Sequence, residues 1–262
     1  MGSELRIREG DLIGGFAKGL SVIETFNQQR EKLSIADVAR LTGLERASAR
    51  RCLLTLVHEG YAEFDGKFFR LTAHVLKLGY AYLSSTPLPR IIQPFLEQLS
   101  EAIHESSSAS ILDAGEIVYV ARSAQRRVML IGLNVGSRLP AYCASMGRVM
   151  LAALPEDEAR RRLEAVKREK HTPKTLTGMA DLMKELARVR EQGYALIDEE
   201  LELGLRSLSV PLRTMDGRTL AALNLCAASA RVSVEEMHTR YLPAMQRTAC
   251  AISNAWTAHP AV

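Results

Sequence analysis

The stretch SIADVARLTGLERASARR (residues 34–51) constrains the fold more than any other part of the chain. Ser34 is a good N-cap, and Asp37 follows three residues later as in a capping box, so a helix is predicted to begin here. Gly43 can end that helix in a left-handed conformation. A longer helix is predicted over residues 45–58, with apolar residues at three- and four-residue intervals. Two helices joined by so short a turn are typical of a helix-turn-helix.

The segments on either side complete a winged helix-turn-helix. Apolar residues within 17–26 fit one face of a preceding helix. After Gly60 stops the longer helix, two β-prone runs in YAEFDGKFFRLT flank Asp65-Gly66, a strong hairpin signal. The order helix, helix, turn, helix, hairpin predicts this fold for residues 17–73. Residues 1–16 are predicted to form a flexible N-terminal arm.

The rest of the chain predicts a linker helix and a second domain. AHVLKLGYAYLSS predicts the linker helix within residues 74–87, and STPLPR ends it. Residues 88–258 mix helical patterns with strands, which meet at turns such as Ala114-Gly115 and Asp216-Gly217. VMLIGLNV (128–135) is predicted to be one of these strands. Helices are predicted at 91–106, 144–154, 156–169, 178–192 and 234–256. The fold class expected is α+β, with an α/β second domain built on an antiparallel sheet, as in small-molecule sensor modules.

Composition and charge exclude several classes of protein. The chain has 262 residues, of which 47% are hydrophobic, so it can bury a sizeable core and fits two domains. A net charge of +4 is too small by itself to indicate nucleic-acid binding. The four cysteines lie far apart without metal-ligand spacing, so we expect reduced thiols, no metal and no cofactor in a cytoplasmic protein. No long apolar run predicts a membrane span, and no secretory signal is present.

The longer helix of the helix-turn-helix is predicted to present a cationic outer face. Residues 40–51 contain four arginines and one glutamate, a local charge of +3. Arginine can bind guanine O6 and N7 bidentately, small side chains can contact thymine methyl groups, and helix N-termini can hold phosphates. The residues expected to contact DNA are Ser34, Arg46, Ala47, Ser48, Arg50, Arg51, Thr55 and Lys67. A solvated basic face on an ordinary helical domain is the alternative.

These residues and several later segments resemble the IclR family of bacterial transcriptional regulators over nearly the whole chain. The resemblance rests on KGLSVIETF, on SIADVARLTGLERASARRCLLTLVHEGY with the predicted wing, and on GSRLPAYCASMGRVMLAALP and DEELELGLRSLSVPL. RLPAYCASMGRVMLA is most similar to the branch that controls protocatechuate, 4-hydroxybenzoate and β-ketoadipate catabolism, the PcaR, PcaU and PobR group. The resemblance implies a double-stranded palindromic operator, a small organic acid effector, dimers formed through the N-terminal part and tetramers formed through the effector domains.

The resemblance also implies where the effector binds. In relatives, ligand groups come from the loop before the MGRVMLA helix, from the DEE…GLRS segment and from the next strand. Those places hold Ser145, Met146, Asp198, Leu205, Ser207 and Asn224 in this chain. Backbone N–H groups at the helix start can hold a carboxylate, serine and asparagine can bind hydroxyls, and Met146 and Leu205 can pack an apolar body. Arg138 or Arg148 could add positive charge.

The same residues also allow other interpretations. The glyoxylate-type member has a cysteine in place of Ser207 and a smaller residue in place of Met146, which disfavours glyoxylate and favours a bulkier aromatic acid. A regulator of a different small carboxylate, of the pyruvate or glyoxylate class, is the alternative. Ser145 could instead be only an N-cap, and Met146 could be a core residue. Residues 198–200 could form a solvated acidic loop, with Arg206 beside them in an ion pair.

Two other functional classes remain as alternatives. An enzyme could use Cys143 as nucleophile, His171 or His104 as base and Asp198 to orient the base. The sequence lacks a GxSxG elbow, a P-loop, a strand-to-helix GxGxxG and an HExxH motif, so catalysis is not expected. A DNA-binding protein whose second domain only oligomerises is the other class. The predicted function is a regulator that binds an operator and responds to an aromatic acid or a β-ketoadipate pathway metabolite.

Overall fold

The computed structural model of the protein describes residues 7–27, 29–124 and 132–258. The chain divides into two compact units between Tyr82 and Leu83. Each unit has a hydrophobic core of its own. No helix in the described ranges is long and apolar enough to cross a lipid bilayer.

The N-terminal unit has the predicted order of three helices and a hairpin. Its elements are α1 (Gly14–Ile23), α2 (Ile35–Thr42), α3 (Arg46–His58), β1 (Ala62–Phe64) and β2 (Phe69–Leu71). The helix predicted from Ala17 therefore begins at Gly14, within the predicted arm. Residues 9–11 of that arm form a 3-10 turn, and residues 1–6 lie outside the described residues.

Local signals explain why α2 and the hairpin form where they do. The Ser34 hydroxyl accepts a hydrogen bond from the Asp37 N–H (3.2 Å), and the Asp37 carboxylate accepts one from the Ser34 N–H (3.1 Å). This is the predicted capping box, and Gly43 ends α2 with φ of 71° as predicted. In the hairpin turn, the Asp65 carboxylate accepts from the N–H groups of Lys67 and Phe68 at 3.0 and 2.8 Å.

The chain between the two cores is helical on both sides of a single break. A 3-10 turn (Ala73–Val75) leads into α4 (Leu76–Ser85), and Thr86 separates α4 from α5 (Pro87–Ile103). The helix predicted at 91–106 thus starts earlier, because Pro87 occupies the first helical turn, where a missing N–H costs nothing. The segment STPLPR therefore interrupts the helical structure at Thr86 only.

The C-terminal unit is built on a six-stranded sheet in which every neighbouring pair is antiparallel, as predicted. The strand order is β5-β4-β3-β8-β7-β6. The strands are β3 (Ser106–Asp113), β4 (Glu116–Ser123), β5 (Arg138–Pro140), β6 (Ala195–Asp198), β7 (Leu205–Arg213) and β8 (Thr219–Ala228). Of the strand predicted at 128–135, residues 128–131 lie outside the described residues, and residues 132–135 are not in a strand.

Helices cover both faces of this sheet. They are α6 (Ser145–Ala152), α7 (Glu156–Glu164), α8 (Met179–Gln192), the single turn α9 (Val234–Glu236) and α10 (Leu242–Thr257). Apolar strand residues such as Leu208 and Leu223 face α5 and α10, while α6 to α8 share a second core on the other face. The predicted helix at 234–256 contains one π-helical turn, Met237–Tyr241.

Side chains alternate between the two sheet faces, so the residues next to Leu208 and Leu223 face α6. Cross-strand pairing puts alternate residues of β3 on the same face. The buried polar residues of this face are Ser106, Ser108, Ser110, Ser207, Ser209 and Asn224. Cross-strand pairing puts Asn224 between Ser108 and Ser209. The fold therefore places a polar patch under a buried helix, where each polar group needs a partner.

Candidate functional site

The outer face of α3 is exposed and cationic, as the sequence predicted. Ala49 and Leu53 are completely buried and anchor the inner side of the helix. Arg46, Arg50 and Arg51 are exposed, and in the described part of the chain no carboxylate pairs with them. Three unpaired guanidinium groups on one anchored helix are available for phosphate and base-edge contacts.

The start of α3 adds backbone donors to this face. Glu45 is the N-cap, and its side chain makes no capping hydrogen bond. The first N–H groups of a helix have no partner within the helix, so those around the exposed Ala47 can donate to an anion. Ser34 differs from expectation, because its hydroxyl donates to the Asp37 carboxylate at 2.6 Å. Its own N–H is also used, so Ser34 has no free donor for a phosphate.

Ser48, Arg51 and Thr55 lie toward α1 on the same helix. They line one side of a groove of about 800 Å³ between α1 and α3, together with apolar residues such as Phe16 and Leu20. The Thr55 hydroxyl donates to the Arg51 carbonyl oxygen at 2.9 Å. Because the hydroxyl hydrogen is used in this bond, Thr55 offers mainly an acceptor to a ligand. Thr55 also lies farther along α3 from its cationic end.

The hairpin presents a second cation. Lys67 is exposed at its tip, with its Nζ 5.1 Å from the centre of the Phe68 ring. Lys67 makes no ion pair among the residues that the structure describes. Arg70, farther along the hairpin, is paired with Glu63. The free positive charge of the wing is thus at its tip.

In the C-terminal unit, a buried hydrogen-bond cluster joins α6 to the polar patch of the sheet. The hydroxyl oxygens of Ser145 and Ser209 are 2.7 Å apart, and the Asn224 side-chain amide donates to them at 3.0 and 3.1 Å. The Cys226 thiol donates to the Asn224 side-chain oxygen at 3.1 Å. Ser145 is not the N-cap of α6, since Ala144 holds that position, so the alternative role considered for it is wrong.

A small cavity adjoins this cluster. Five of the six residues that the resemblance implied line it: Ser145, Met146, Leu205, Ser207 and Asn224. Its volume is about 20 Å³, which is room for one water molecule. Met146 is 2% exposed and packs in the core around α6, and it also lines the cavity. We call this the effector cavity, after the role that the resemblance implied for these residues.

Asp198 is the implied residue that does not line the effector cavity. Ile197 lines it, and because side chains alternate along a strand, Asp198 points to the other face of β6. There Asp198 faces Arg206, its cross-strand partner, whose Nε is 2.8 Å from the Asp198 Oδ1. Lys174 lies 3.3 Å from the other carboxylate oxygen. The ion pair considered for Arg206 is confirmed, and Asp198 contributes to the sheet rather than to the cavity.

Neither arginine suggested as an extra charge lines the cavity. Arg148 is 1% exposed and makes two hydrogen bonds with the Glu200 carboxylate, of 2.7 and 2.6 Å. Arg138 is exposed and pairs with Asp113 and Glu116, each at 2.7 Å. Among the residues that the structure describes, no cationic side chain lines the cavity, so an acid in it would depend on neutral donors from these residues.

Sequence reasoning missed more than half of the lining. The additional residues are Tyr119, Leu133, Leu139, Cys143, Ala144, Ile197, Leu201 and Cys226. Cys226 follows Asn224 by two residues on the same strand, and that spacing could have indicated it. Burial raises the pKa of the Tyr119 phenol, and it raises the pKa of the Cys226 thiol to about 12. Both groups are thus neutral hydrogen-bond donors at physiological pH.

The geometry around Cys143 does not favour nucleophilic catalysis. Its thiol is buried and contacts the Pro140 carbonyl oxygen at 3.8 Å, and burial raises the pKa of the thiol to about 12. The His171 ring nitrogen is 3.1 Å from the Tyr142 hydroxyl, with which it interacts instead. A nucleophilic cysteine needs a low pKa and a base within hydrogen-bond reach. Within the described residues, no group of three or more His, Cys, Asp or Glu side chains is placed to hold a metal ion.

Comparisons with known proteins agree with this geometry. Residues 16–66 match the model of the IclR helix-turn-helix domain, and residues 80–254 match the model described as bacterial transcriptional regulator IclR C-terminal. The chain is 42% identical over 234 residues to the Pca regulon regulatory protein of Pseudomonas putida, covering 89% of this chain and 80% of that protein.

Two solved structures extend the comparison. A transcriptional regulator from Rhodococcus sp. RHA1 is 45% identical, with a TM-score of 0.80 and coverage of 94% of this chain and 99% of that chain. The inducer-binding domain of the PobR transcription factor from Acinetobacter was solved as a double mutant with 3-hydroxybenzoic acid. It is 34% identical, with a TM-score of 0.61 and coverage of 64% of this chain and 98% of that chain. These proteins are described as transcriptional regulators, which favours that class over the enzyme alternative.

Proposed function

The chain belongs to the IclR family of bacterial transcriptional regulators, and we propose that it binds a palindromic operator and responds to a small aromatic acid. The single observation that carries the choice of effector is the likeness to the PobR inducer-binding domain, which was solved with 3-hydroxybenzoic acid. The relation to the Pca regulon regulatory protein supports the same class of metabolites.

The donors around the effector cavity support an aromatic hydroxy acid. Ser207 and Tyr119 can bind a ring hydroxyl, Met146 and Leu205 can pack the ring, and the N–H groups at the start of α6 can hold the carboxylate. The cavity must enlarge to admit a ring, since a cavity of about 150 Å³ is needed to hold benzene. An acid that binds the enlarged conformation better than the closed one shifts the equilibrium between them.

We assign DNA binding to residues 17–73, the linker helix to residues 74–87 and effector binding to residues 88–258. On the DNA side, the unpaired guanidinium groups of Arg46, Arg50 and Arg51 support entry of α3 into the major groove, with Lys67 on the flanking backbone. Dimerisation through the N-terminal unit is the arrangement that the family resemblance implies. A homodimer gives a palindromic site, and pairing of effector units would give a homotetramer. Because bacterial operators lie in the cytoplasm, we assign the protein to that compartment.

A melting-temperature screen tests the effector assignment. It should include protocatechuate, 4-hydroxybenzoate, 3-hydroxybenzoate, β-ketoadipate, pyruvate and glyoxylate, and each compound that raises the melting temperature should then be added to an operator-binding assay. We expect a hydroxybenzoate or protocatechuate to raise the melting temperature and to change operator affinity. A response to pyruvate or glyoxylate alone would assign a different effector class, and no response to any of the six acids would favour a second domain that only oligomerises.

A further inference from the structure

A second concave site lies in the C-terminal unit, at the other end of α6. Ser145, at the start of α6, lines the effector cavity, whereas Ala152, at its end, lines a groove of about 550 Å³. The helix has eight residues, so its ends are about 12 Å apart. β7 and β8 also contribute residues to both sites. The groove is therefore separate from the effector cavity but is built on the same elements.

Positive charge dominates the lining of this groove. Four arginines line it, namely Arg162, Arg190, Arg213 and Arg218, and none of the described residues in its lining is acidic. We call it the arginine groove. A concave surface with charge of a single sign attracts counter-ions of the opposite sign.

Three of these guanidinium groups form no ion pair within 4 Å among the described residues, although the Asp216 carboxylate in the β7–β8 turn interacts electrostatically with Arg218. Arg213 and Arg218 are exposed on either side of the β7–β8 turn, and the structure gives neither of them an ion pair. Arg190 donates to the carbonyl oxygens of Ala152 (2.9 Å) and Leu154 (3.2 Å), which fixes its position and leaves three of its five N–H donors free. Only Arg162 is neutralised, by Glu158 at 2.7 Å.

The lining of the groove also has apolar residues. They include Ile111 and Leu112 of β3, Met150 of α6 and Leu220 of β8. Its volume lies within the range of about 300–1,000 Å³ that is usual for small-molecule sites. A ligand that fills it would need an apolar body against the apolar residues and negative groups directed at the arginines.

We propose that the arginine groove binds a small organic anion with two or more negative charges on an apolar body, independently of the effector cavity. A single carboxylate would satisfy only one of the unpaired guanidinium groups, whereas a di- or tricarboxylate can pair with Arg190, Arg213 and Arg218 together. α6, β7 and β8 contribute residues to both sites. An anion bound in the arginine groove would therefore contact elements that also surround the effector cavity.

Calorimetric titration with benzene-1,3,5-tricarboxylate tests this proposal in the full-length protein. We expect saturable binding, with affinity lowered about tenfold or more in the double variant Arg213→Gln/Arg218→Gln, since the variant removes two charge-assisted contacts. The control variant Arg247→Gln/Lys167→Gln removes the same charge from exposed positions outside the groove and should bind normally. Benzoate has the same ring and only one charge, so its affinity should be lower by about tenfold or more.

Other outcomes would overturn the proposal. Absence of binding, equal affinity in the arginine variant and its control, or equal affinity for benzoate would each do so. The variant Ser207→Leu fills the effector cavity. If it loses tricarboxylate binding, the anion binds in the effector cavity and not in the arginine groove, and the proposed function is unaffected. Sedimentation velocity completes the test, because a change of assembly state in the arginine variant alone would show that the groove is a contact between copies of this chain.

Discussion

Arg148 and Glu200, 52 positions apart in sequence, form a buried ion pair with two parallel hydrogen bonds of 2.7 and 2.6 Å. Arg148 also donates to the Tyr142 carbonyl oxygen at 3.0 Å, and Glu200 accepts from the Leu176 N–H at 3.0 Å. The pair thus holds α6 against the segment after β6 that carries Leu201, and both elements line the effector cavity.

Removing one partner of this pair should be costly. Arg148→Met leaves the Glu200 carboxylate buried without its cation, so the free energy of unfolding should fall by about 3–5 kcal/mol. Urea denaturation at pH 7 measures this decrease in the free energy of unfolding. The double variant Arg148→Met/Glu200→Leu should recover part of the loss, because it removes the unpaired charge. A double variant less stable than the single one would contradict this account.

Operator binding should depend on Arg51. Arg51→Ala removes an exposed and unpaired guanidinium group from the outer face of α3, so operator affinity should fall by about 1–3 kcal/mol while effector binding stays unchanged. Fluorescence anisotropy with a labelled operator measures the change. Arg247→Ala, with the same charge change on α10, is the control. Normal operator affinity in Arg51→Ala would refute the assignment of α3 as the recognition helix.

The effector response should depend on the space beside Ser207. Ser207→Leu fills a cavity of only about 20 Å³, so the ligand-induced rise in melting temperature should disappear while operator binding persists. Ser207→Ala removes the hydroxyl but keeps the space, so its response should weaken less. If Ser207→Leu folds and keeps the wild-type effector affinity, Ser207 does not contribute to the site.

A pH-dependent contribution is expected from Glu199. Its carboxylate accepts hydrogen bonds from Lys174 (2.6 Å), Ser229 (2.9 Å) and the Gly204 N–H (2.8 Å), which lower its pKa from 4.5 to about 2. A lowered folded-state pKa stabilises the fold above the unfolded-state value of 4.5, and that stability is lost as the pH falls toward about 2. The difference in urea midpoint between wild type and Glu199→Gln should therefore be constant from pH 7 to 5 and shrink below pH 4.5. A difference that grows on acidification would contradict this sign.

Gly147 is a position at which α6 lies close against the preceding chain. A Cβ atom there would lie 2.2 Å from the Ala141 carbonyl oxygen and 2.3 Å from the Ala141 Cα. Gly147→Ala should lower the free energy of unfolding by about 1–3 kcal/mol or more. Gly79→Ala is the matched control, since no atom lies within 4 Å of its added Cβ, and it should be neutral or slightly stabilising. Equal thermal stability of the two variants would show that α6 can move away from Ala141.

The helix-turn-helix could be predicted because its signals are local. The capping box of Ser34 and Asp37 and the left-handed Gly43 depend on residues a few positions apart, so sequence alone locates α2 and the turn. The predicted linker and following helix were less accurate, because Pro87 is compatible both with a break and with a first helical turn.

The effector cavity could be predicted only in part. The family resemblance indicated segments that line one cavity in the structure, but not which face of each strand turns inward. Asp198 was misplaced for this reason, since Ile197 beside it takes the inward position. Tyr119 was missed because β4 reaches the cavity only through pairings between strands far apart in sequence, and their register cannot be read from local patterns.

The small volume of the effector cavity affects the inducer concentration at which the regulator responds. The structure has room in this site for one water molecule, so a ring-sized molecule can bind only to a more open conformation, and the measured dissociation constant is then the intrinsic one divided by the populated fraction of that conformation. The threshold of the transcriptional response is then set by the protein's own opening equilibrium as much as by its contacts with the inducer. Substitutions that loosen the packing around α6 should shift the dose–response curve to lower inducer levels without touching the inducer at all.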